Sequence, residues 1–221
     1  MERIVRQTSD GSTTIYLPEW EESYHSKHGA IQEAKHVFIK NGLDLLSNKS
    51  DISILEIGFG TGLNAFITYL EMLQRNLSIQ YVGVEAYPIS LEEIKAMNYA
   101  KALDAESETL IFNNFHDCIP NEAHFLHPNF EFTKRIQRFE EINDVATFDL
   151  IYFDAFGFRV QPELWSLSIF EKMFTALKSG GILTTYACRT LIKKNMEHAG
   201  FRVQKKEGPP GKREMLVAYK D

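Results

Sequence analysis

The sequence predicts an α/β domain built on a doubly wound, mostly parallel sheet of seven strands. Three observations predict it. An apolar run from Ile52 to Ile57 is followed by glycines at 58, 60 and 62, then by Ala65 to Leu73 at helical spacing: a strand, a tight turn and a helix. Strand-like and helix-like segments alternate from there to residue 199, the pattern of a parallel sheet with crossover helices. The 221 residues, 44% hydrophobic and 24% charged, suffice for one such domain with a sizeable core.

Residues 1–50 read as an N-terminal hairpin, Arg3 to Arg6 and Ser12 to Leu17, and a lead-in helix from Ala30 to Leu46 with Ala34, Val37, Phe38 and Leu45 as a partial apolar stripe. The main domain, 51–221, opens with the first strand and its glycine turn. A second strand runs from Ile79 to Glu85, and Pro88 and Ser90 punctuate the chain before a helix over Leu91 to Ala100. Residues 105–128 form a polar insertion containing histidines, Pro120 and Pro128, expected to be an irregular lid over the cleft. Phe130 to Gln137 and Phe148 to Asp154 are the next strands. A mobile aromatic loop then leads to a helix whose core stripe is Trp165, Ile169, Met173 and Leu177, stopped by Ser179-Gly-Gly181. Ile182 to Tyr186 is the fifth strand and Leu191 to Ala199 the last helix. Phe201 to Lys205 and Glu214 to Tyr219 pair across Gly208-Pro-Pro-Gly211.

No run of about 18 apolar residues appears, and the first residues lack a basic start followed by an apolar stretch. The expectation is no membrane span, no secretory leader and a cytoplasmic protein. Cys118 and Cys188 cannot make a disulfide framework. His25 with His28, and the group His116, Asp117, Cys118, His124 and His127, raise the question of a metal. Neither has a convincing ligand set, so none is expected. A net charge of −6 argues against indiscriminate binding of nucleic acid. Between Arg189 and Arg213, however, eight basic residues face two acidic ones, a basic segment suited to docking a polyanion.

The glycines recur at every second position, with Glu56 two residues before the first, whereas dinucleotide sites favour G-x-G-x-x-G over a helix that receives pyrophosphate. A carboxylate there suits a cationic ligand such as S-adenosylmethionine, its ammonium near Glu56 and its ribose hydroxyls on Glu85. Ligands of open α/β sheets lie beyond the carboxyl ends of the strands, so Glu56, Glu85 and Asp154 are expected to converge on one crevice. Asp154 would receive a substrate amine beside the sulfonium methyl, or simply cap the segment that follows.

Several stretches carry a resemblance: Tyr24-x-Ser26, Gln32-Glu-Ala-Lys-His-Val-Phe38, Glu56-x-Gly-Phe-Gly-Thr-Gly-Leu-Asn64, Asp154-Ala-Phe156 with Pro162-Glu-Leu-Trp165, Gly180-Gly181, Ala199-Gly-Phe201 and Lys212-Arg-Glu-Met215. Across about residues 22–219 the chain resembles the methyltransferase half of the bifunctional MnmC enzymes of tRNA wobble-uridine modification. The resemblance implies a Rossmann-like methyltransferase fold whose last strand is antiparallel, S-adenosyl-L-methionine as cofactor, and methylation of the amine of 5-aminomethyl-2-thiouridine. It implies that Glu56, Gly58, Gly60, Thr61, Gly62, Asn64 and Glu85 bind the cofactor and that Asp154 is catalytic. Tyr24, Phe156 and Tyr186 would meet the substrate, with Phe156, Phe158 and Tyr186 stacking on a splayed uracil or else belonging to the core, and Lys193, Lys194, Lys205, Lys212 and Arg213 would meet the tRNA phosphates. A stand-alone methyltransferase without the family's flavin-dependent half is expected. Gln137-Arg138, Arg189-Thr190 and Gly208-Pro-Pro-Gly211 depart from the family pattern. A transferase acting on a free small amine and a non-catalytic cofactor-binding homologue are the alternatives. A nicotinamide oxidoreductase is disfavoured by the glycine spacing.

Overall fold

The computed structural model describes residues 2–221; Met1, the first residue of the expected N-terminal unit, lies outside them. Its central sheet has eight strands in the order β10 (Arg202–Glu207), β11 (Glu214–Tyr219), β9 (Leu177–Thr185), β8 (Phe148–Phe153), β4 (Asp51–Ile57), β5 (Ser78–Val84), β7 (Phe130–Arg135) and β6 (Ala123–His127). The parallel body comprises β4, β5, β7, β8 and β9. β11 runs antiparallel to β9, as expected, and β10 antiparallel to β11. All six residues of β8 are buried, because helices cover both faces of the sheet and leave no solvent side for polar alternation. The chain winds outward in opposite directions from β4 and β8, which opens a crevice at their carboxyl ends.

The eighth strand corrects the expected count of seven, and it comes from the insertion. Residues 105–128 hold α5 (Thr109–Asp117) and β6 (Ala123–His127), which pairs antiparallel with β7. Phe112 and Phe115, one helical turn apart, pack on Phe66, Phe130 and Phe132, so the segment belongs to the core rather than forming an irregular lid. Its polar average hid two well-spaced aromatics.

The N-terminal hairpin is observed as β1 (Ile4–Gln7) and β2 (Thr13–Leu17), extended by β3 (Glu22–Ser23). Ile15 and Leu17 join the same core as α2 (Leu63–Arg75), the helix after the glycine turn. The lead-in helix is not continuous. α1 (Ala30–Ala34) passes into a π-turn over Lys35–Lys40, then a 3-10 turn over Leu43–Leu46. In this wider turn Val37, Phe38 and Ile39 are buried in succession, and Leu45 is left exposed. The helix expected over 91–100 breaks into α3 (Leu91–Ala96) and α4 (Tyr99–Ala102). At the break Asn98 Oδ1 accepts from Thr13 N at 2.9 Å and Asn98 Nδ2 donates to Gly11 O at 2.9 Å, tying the hairpin down.

α6 (Leu167–Ala176) follows a 3-10 turn at Pro162–Trp165, and the stripe Trp165, Ile169, Met173 and Leu177 is buried as expected. The glycine pair does not stop that helix. β9 already begins at Leu177 and carries Gly180 and Gly181 through a register shift against β8. α7 (Thr190–His198) completes the second helical layer. Among the described residues no helix is long and apolar enough to cross a membrane.

Candidate active site

A cavity of about 1210 Å³ opens at the carboxyl ends of the strands. Its floor is the glycine loop after β4, and its sides are the residues following β5, β7, β8 and β9. The N-terminal sheet, Glu33 from α1 and Lys212 from the β10–β11 turn close the remaining side. Single-ligand pockets occupy roughly 300–1,000 Å³, so there is room here for a cofactor and part of a second molecule.

Backbone geometry makes the loop. Gly58 has φ +86°, and a Cβ there would lie 2.6 Å from Asp154 O, so only glycine lets the loop pass beneath the end of β8. At Gly60, φ +51°, a Cβ would press to 3.1 Å from the Tyr24 ring, which lies over the loop. Gly60 N donates to Glu85 Oε2 at 3.0 Å and Tyr87 N to Glu85 Oε1 at 2.9 Å. These two amides hold the Glu85 carboxylate at the cavity side, where ribose hydroxyls could share it.

Glu56 does not reach the cavity wall. It is fully buried, accepting from Asn64 Nδ2 on Oε1 and from Tyr81 Oη on Oε2, both at 2.8 Å. Burial drives its carboxyl well above the ordinary range; the bonds from Tyr81 and Asn64 oppose this and the charges of Asp154 and Glu85 add to it. Glu56 therefore lies behind Asn64 and not on the cavity wall, where the expected direct contact with a cofactor ammonium would have placed it. Asn64 Nδ2 forks between Glu56 and Asp154, reaching Asp154 Oδ2 at 2.9 Å. With both amide hydrogens committed to carboxyl oxygens, Asn64 Oδ1 is left buried without a partner.

Asp154 lines the cavity, and burial pushes its carboxyl up to about 7. Glu33 adds to the rise, and the Asn64 hydrogen bond and Lys212 pull against it. Tyr24, Phe156 and Tyr186 also line the cavity. Phe156 stands edge-on to Trp20 and Tyr24, with centroids at 5.4 and 4.9 Å. Tyr186 Oη donates to Ala155 O at 2.8 Å. Phe158 is not part of the cavity wall and packs on the second core under Arg189.

The structure divides the expected phosphate-contacting residues. Lys212 turns inward, 2.6 Å from Glu33 Oε1 and 3.7 Å from the Tyr186 ring centroid, so it belongs to the cavity and not to the outer face. Lys205 pairs with Glu214 at 2.8 Å and Lys193 with Glu197, while Lys194 and Arg213 are exposed.

Sequence reasoning missed three contributors. Glu33 reads as an ordinary helix residue. His25, which lines the cavity, and buried Tyr99 join Thr61 in a chain: His25 Nδ1 lies 3.1 Å from Thr14 Oγ1, His25 Nε2 3.4 Å from Thr61 Oγ1, and Tyr99 Oη donates to Thr61 Oγ1 at 3.0 Å. Burial pushes His25 down to about 4, with Glu33 and Asp10 opposing, so the ring is neutral and holds the glycine loop rather than a proton. No sequence spacing signals these contacts, which join separate elements.

A family model described as S-adenosyl-L-methionine-dependent methyltransferase matches residues 130–221. The chain is 30% identical over 235 residues to the tRNA 5-methylaminomethyl-2-thiouridine biosynthesis bifunctional protein MnmC of Leptospira interrogans, covering 97% of this chain and 35% of that protein. To the protein of the same name from Leptospira borgpetersenii it is 31% identical over 213 residues, 90% of this chain and 32% of the relative. The chain thus spans about a third of the length of these relatives. Among solved structures, MNMC2 from Aquifex aeolicus superposes with TM-score 0.77 at 22% identity, over 98% of this chain and 70% of that one. Spermidine synthase from Thermotoga maritima gives 0.57 at 14%, over 99% and 72%. At these identities both speak to the fold alone. The residues in place fit the methyl donor: a glycine cradle a Cβ would fill, a carboxylate beside it, and an orphaned buried acceptor, Asn64 Oδ1, suited to an ammonium.

Proposed function

Because the chain is similar over 90–97% of its length to MnmC proteins, and residues 130–221 match an S-adenosyl-L-methionine-dependent methyltransferase family model, we propose that it methylates the aminomethyl nitrogen of 5-aminomethyl-2-thiouridine in tRNA. The observation that carries this reading is the Asn64 fork, which sets an orphaned acceptor and the Asp154 carboxylate side by side in a cavity large enough for two ligands. Gly58, Gly60, Thr61 and Gly62 cradle the cofactor, Asn64 Oδ1 accepts from its ammonium, and Glu85 takes the ribose. The cofactor held by these residues would supply an electrophilic methyl group to the amine nitrogen, its sulfur retaining the electron pair of the broken S–C bond.

Asp154, as the carboxylate, accepts a proton from the substrate ammonium and frees the nitrogen lone pair; once that proton has passed to solvent, the carboxylate faces the positive charge that grows on nitrogen. A carboxyl titrating near 7 is matched to that exchange at neutral pH. Tyr24 and Phe156 hold the base, and Lys193, Lys194, Lys205 and Arg213 meet the tRNA backbone.

The test is incubation with labelled S-adenosyl-L-methionine and tRNA carrying 5-aminomethyl-2-thiouridine, read by nucleoside mass spectrometry. One added methyl on that nucleoside is expected, and Asp154→Asn should lower kcat by roughly 10²–10³-fold at saturating substrates. Label in free polyamines with none in tRNA would replace this reading with a small-amine transferase. Cofactor binding without any product would make the chain a binding homologue.

A further inference from the structure

Glu33 and Lys212 stand 179 positions apart in sequence, yet their side chains meet at 2.6 Å in the cavity wall. Neither can swing away easily. Glu33 Oε2 also accepts from Ser26 N at 2.8 Å, and the Lys212 ammonium rests 3.7 Å from the centre of the Tyr186 ring. Tyr186 is itself anchored to Ala155 O, next to Asp154. The turn that delivers Lys212 is docked as well, since a Cβ on Gly211 would strike the His28 ring at 2.2 Å.

The titratable groups acting around Asp154 come from several elements: Glu33 from α1, Lys212 from the β10–β11 turn, Glu56 behind Asn64, Tyr81 on β5 and Tyr186 after β9. Glu33, Lys212, Tyr186 and Asp154 line the same cavity, where Glu33 and Lys212 act on Asp154 with opposite sign. We propose that the Glu33–Lys212 ion pair is a positioning device for Asp154: the pair's carboxylate favours a proton on Asp154, its ammonium favours release, and the balance sets the pH at which Asp154 takes a proton from a substrate amine. This rests on the role given to Asp154 above. A purely structural clip between α1 and the β10–β11 turn would contribute to stability alone.

The test is the ¹³C carboxyl titration of Asp154 in labelled protein without cofactor or substrate, for the native chain, Glu33→Gln, Lys212→Met and Lys212→Arg. Glu33→Gln should lower the Asp154 midpoint and Lys212→Met raise it, each by roughly one to two pH units, the effect of one charge at about 6–12 Å for an effective dielectric of about 20. Lys212→Arg, which keeps the charge, should leave the midpoint in place. The acidic limb of kcat/KM should move with each midpoint. Midpoints that stay fixed, or that move the same way in Glu33→Gln and Lys212→Met, overturn the proposal. Glu33→Gln is close to isosteric, so it decides the matter even if Lys212→Met does not fold. Midpoints that shift as expected in a protein that leaves tRNA unmethylated would uphold the pair and overturn the substrate.

Discussion

Two acids at strand ends carry opposite duties because of one neighbour. Asn64 spends both amide hydrogens on Glu56 and Asp154, and only Asp154 opens to the cavity. The cost of burying Asp154 gives a prediction about stability. Its folded value of about 7 lies above the ordinary 3.8, so the native chain retains a proton that the unfolded chain has released between those values. Stability from this group therefore falls as pH rises through that window, and the full penalty stands above pH ~7. Asp154→Asn keeps an oxygen for Asn64 and removes the titration. Its Tm should match the native protein near pH 4 and exceed it at pH 8, and thermal melts across that range would refute the idea if the gap did not widen.

At the scale of elements, the turn after β4 and the bulge in β9 use glycine for different reasons. Gly58 combines φ +86° with a Cβ position 2.6 Å from Asp154 O, whereas Gly180, at φ +75°, has nothing within 4 Å. Gly180→Ala should cost only left-handed backbone strain, about 1 kcal/mol, with cofactor affinity unchanged. Gly58→Ala adds the collision and displaces the loop from β8, so about 3 kcal/mol or more of stability and most cofactor binding should be lost. Denaturant midpoints and calorimetric titration with S-adenosyl-L-methionine compare the two; equal losses would mean that the close approach to Asp154 does not matter. The first strand, its glycine turn and α2 were legible because the period changes from a continuous apolar run to helical spacing within a few residues. α5 and β6 were not, because Phe112 and Phe115 find their partners on α2 and β7, far along the chain.

Across the whole molecule, an acidic body carries a basic segment whose β10–β11 end lies at the cavity, since Leu216 pairs with Thr185 at the carboxyl end of β9. Neutralising Lys194 or Arg213, both exposed, should reduce the slope of log affinity for tRNA against log salt by roughly 0.7–0.9 each. Lys193 and Lys205 should contribute less, because each must first leave Glu197 or Glu214. Filter-binding titrations over a range of salt would measure this, and an unchanged slope after neutralising Lys193, Lys194, Lys205 and Arg213 together would remove the docking surface. The sequence by itself determined the alternation of elements, the glycine cradle and the acids at the ends of β4, β5 and β8, since strand, turn and helix leave their periods in a contiguous stretch. Tertiary structure alone decided that Glu56 is buried behind Asn64, that Lys212 faces inward to Glu33, and that the N-terminal sheet closes the cavity. Those outcomes depend on which distant segments meet and how far each charge is removed from water, and neither is written in local spacing.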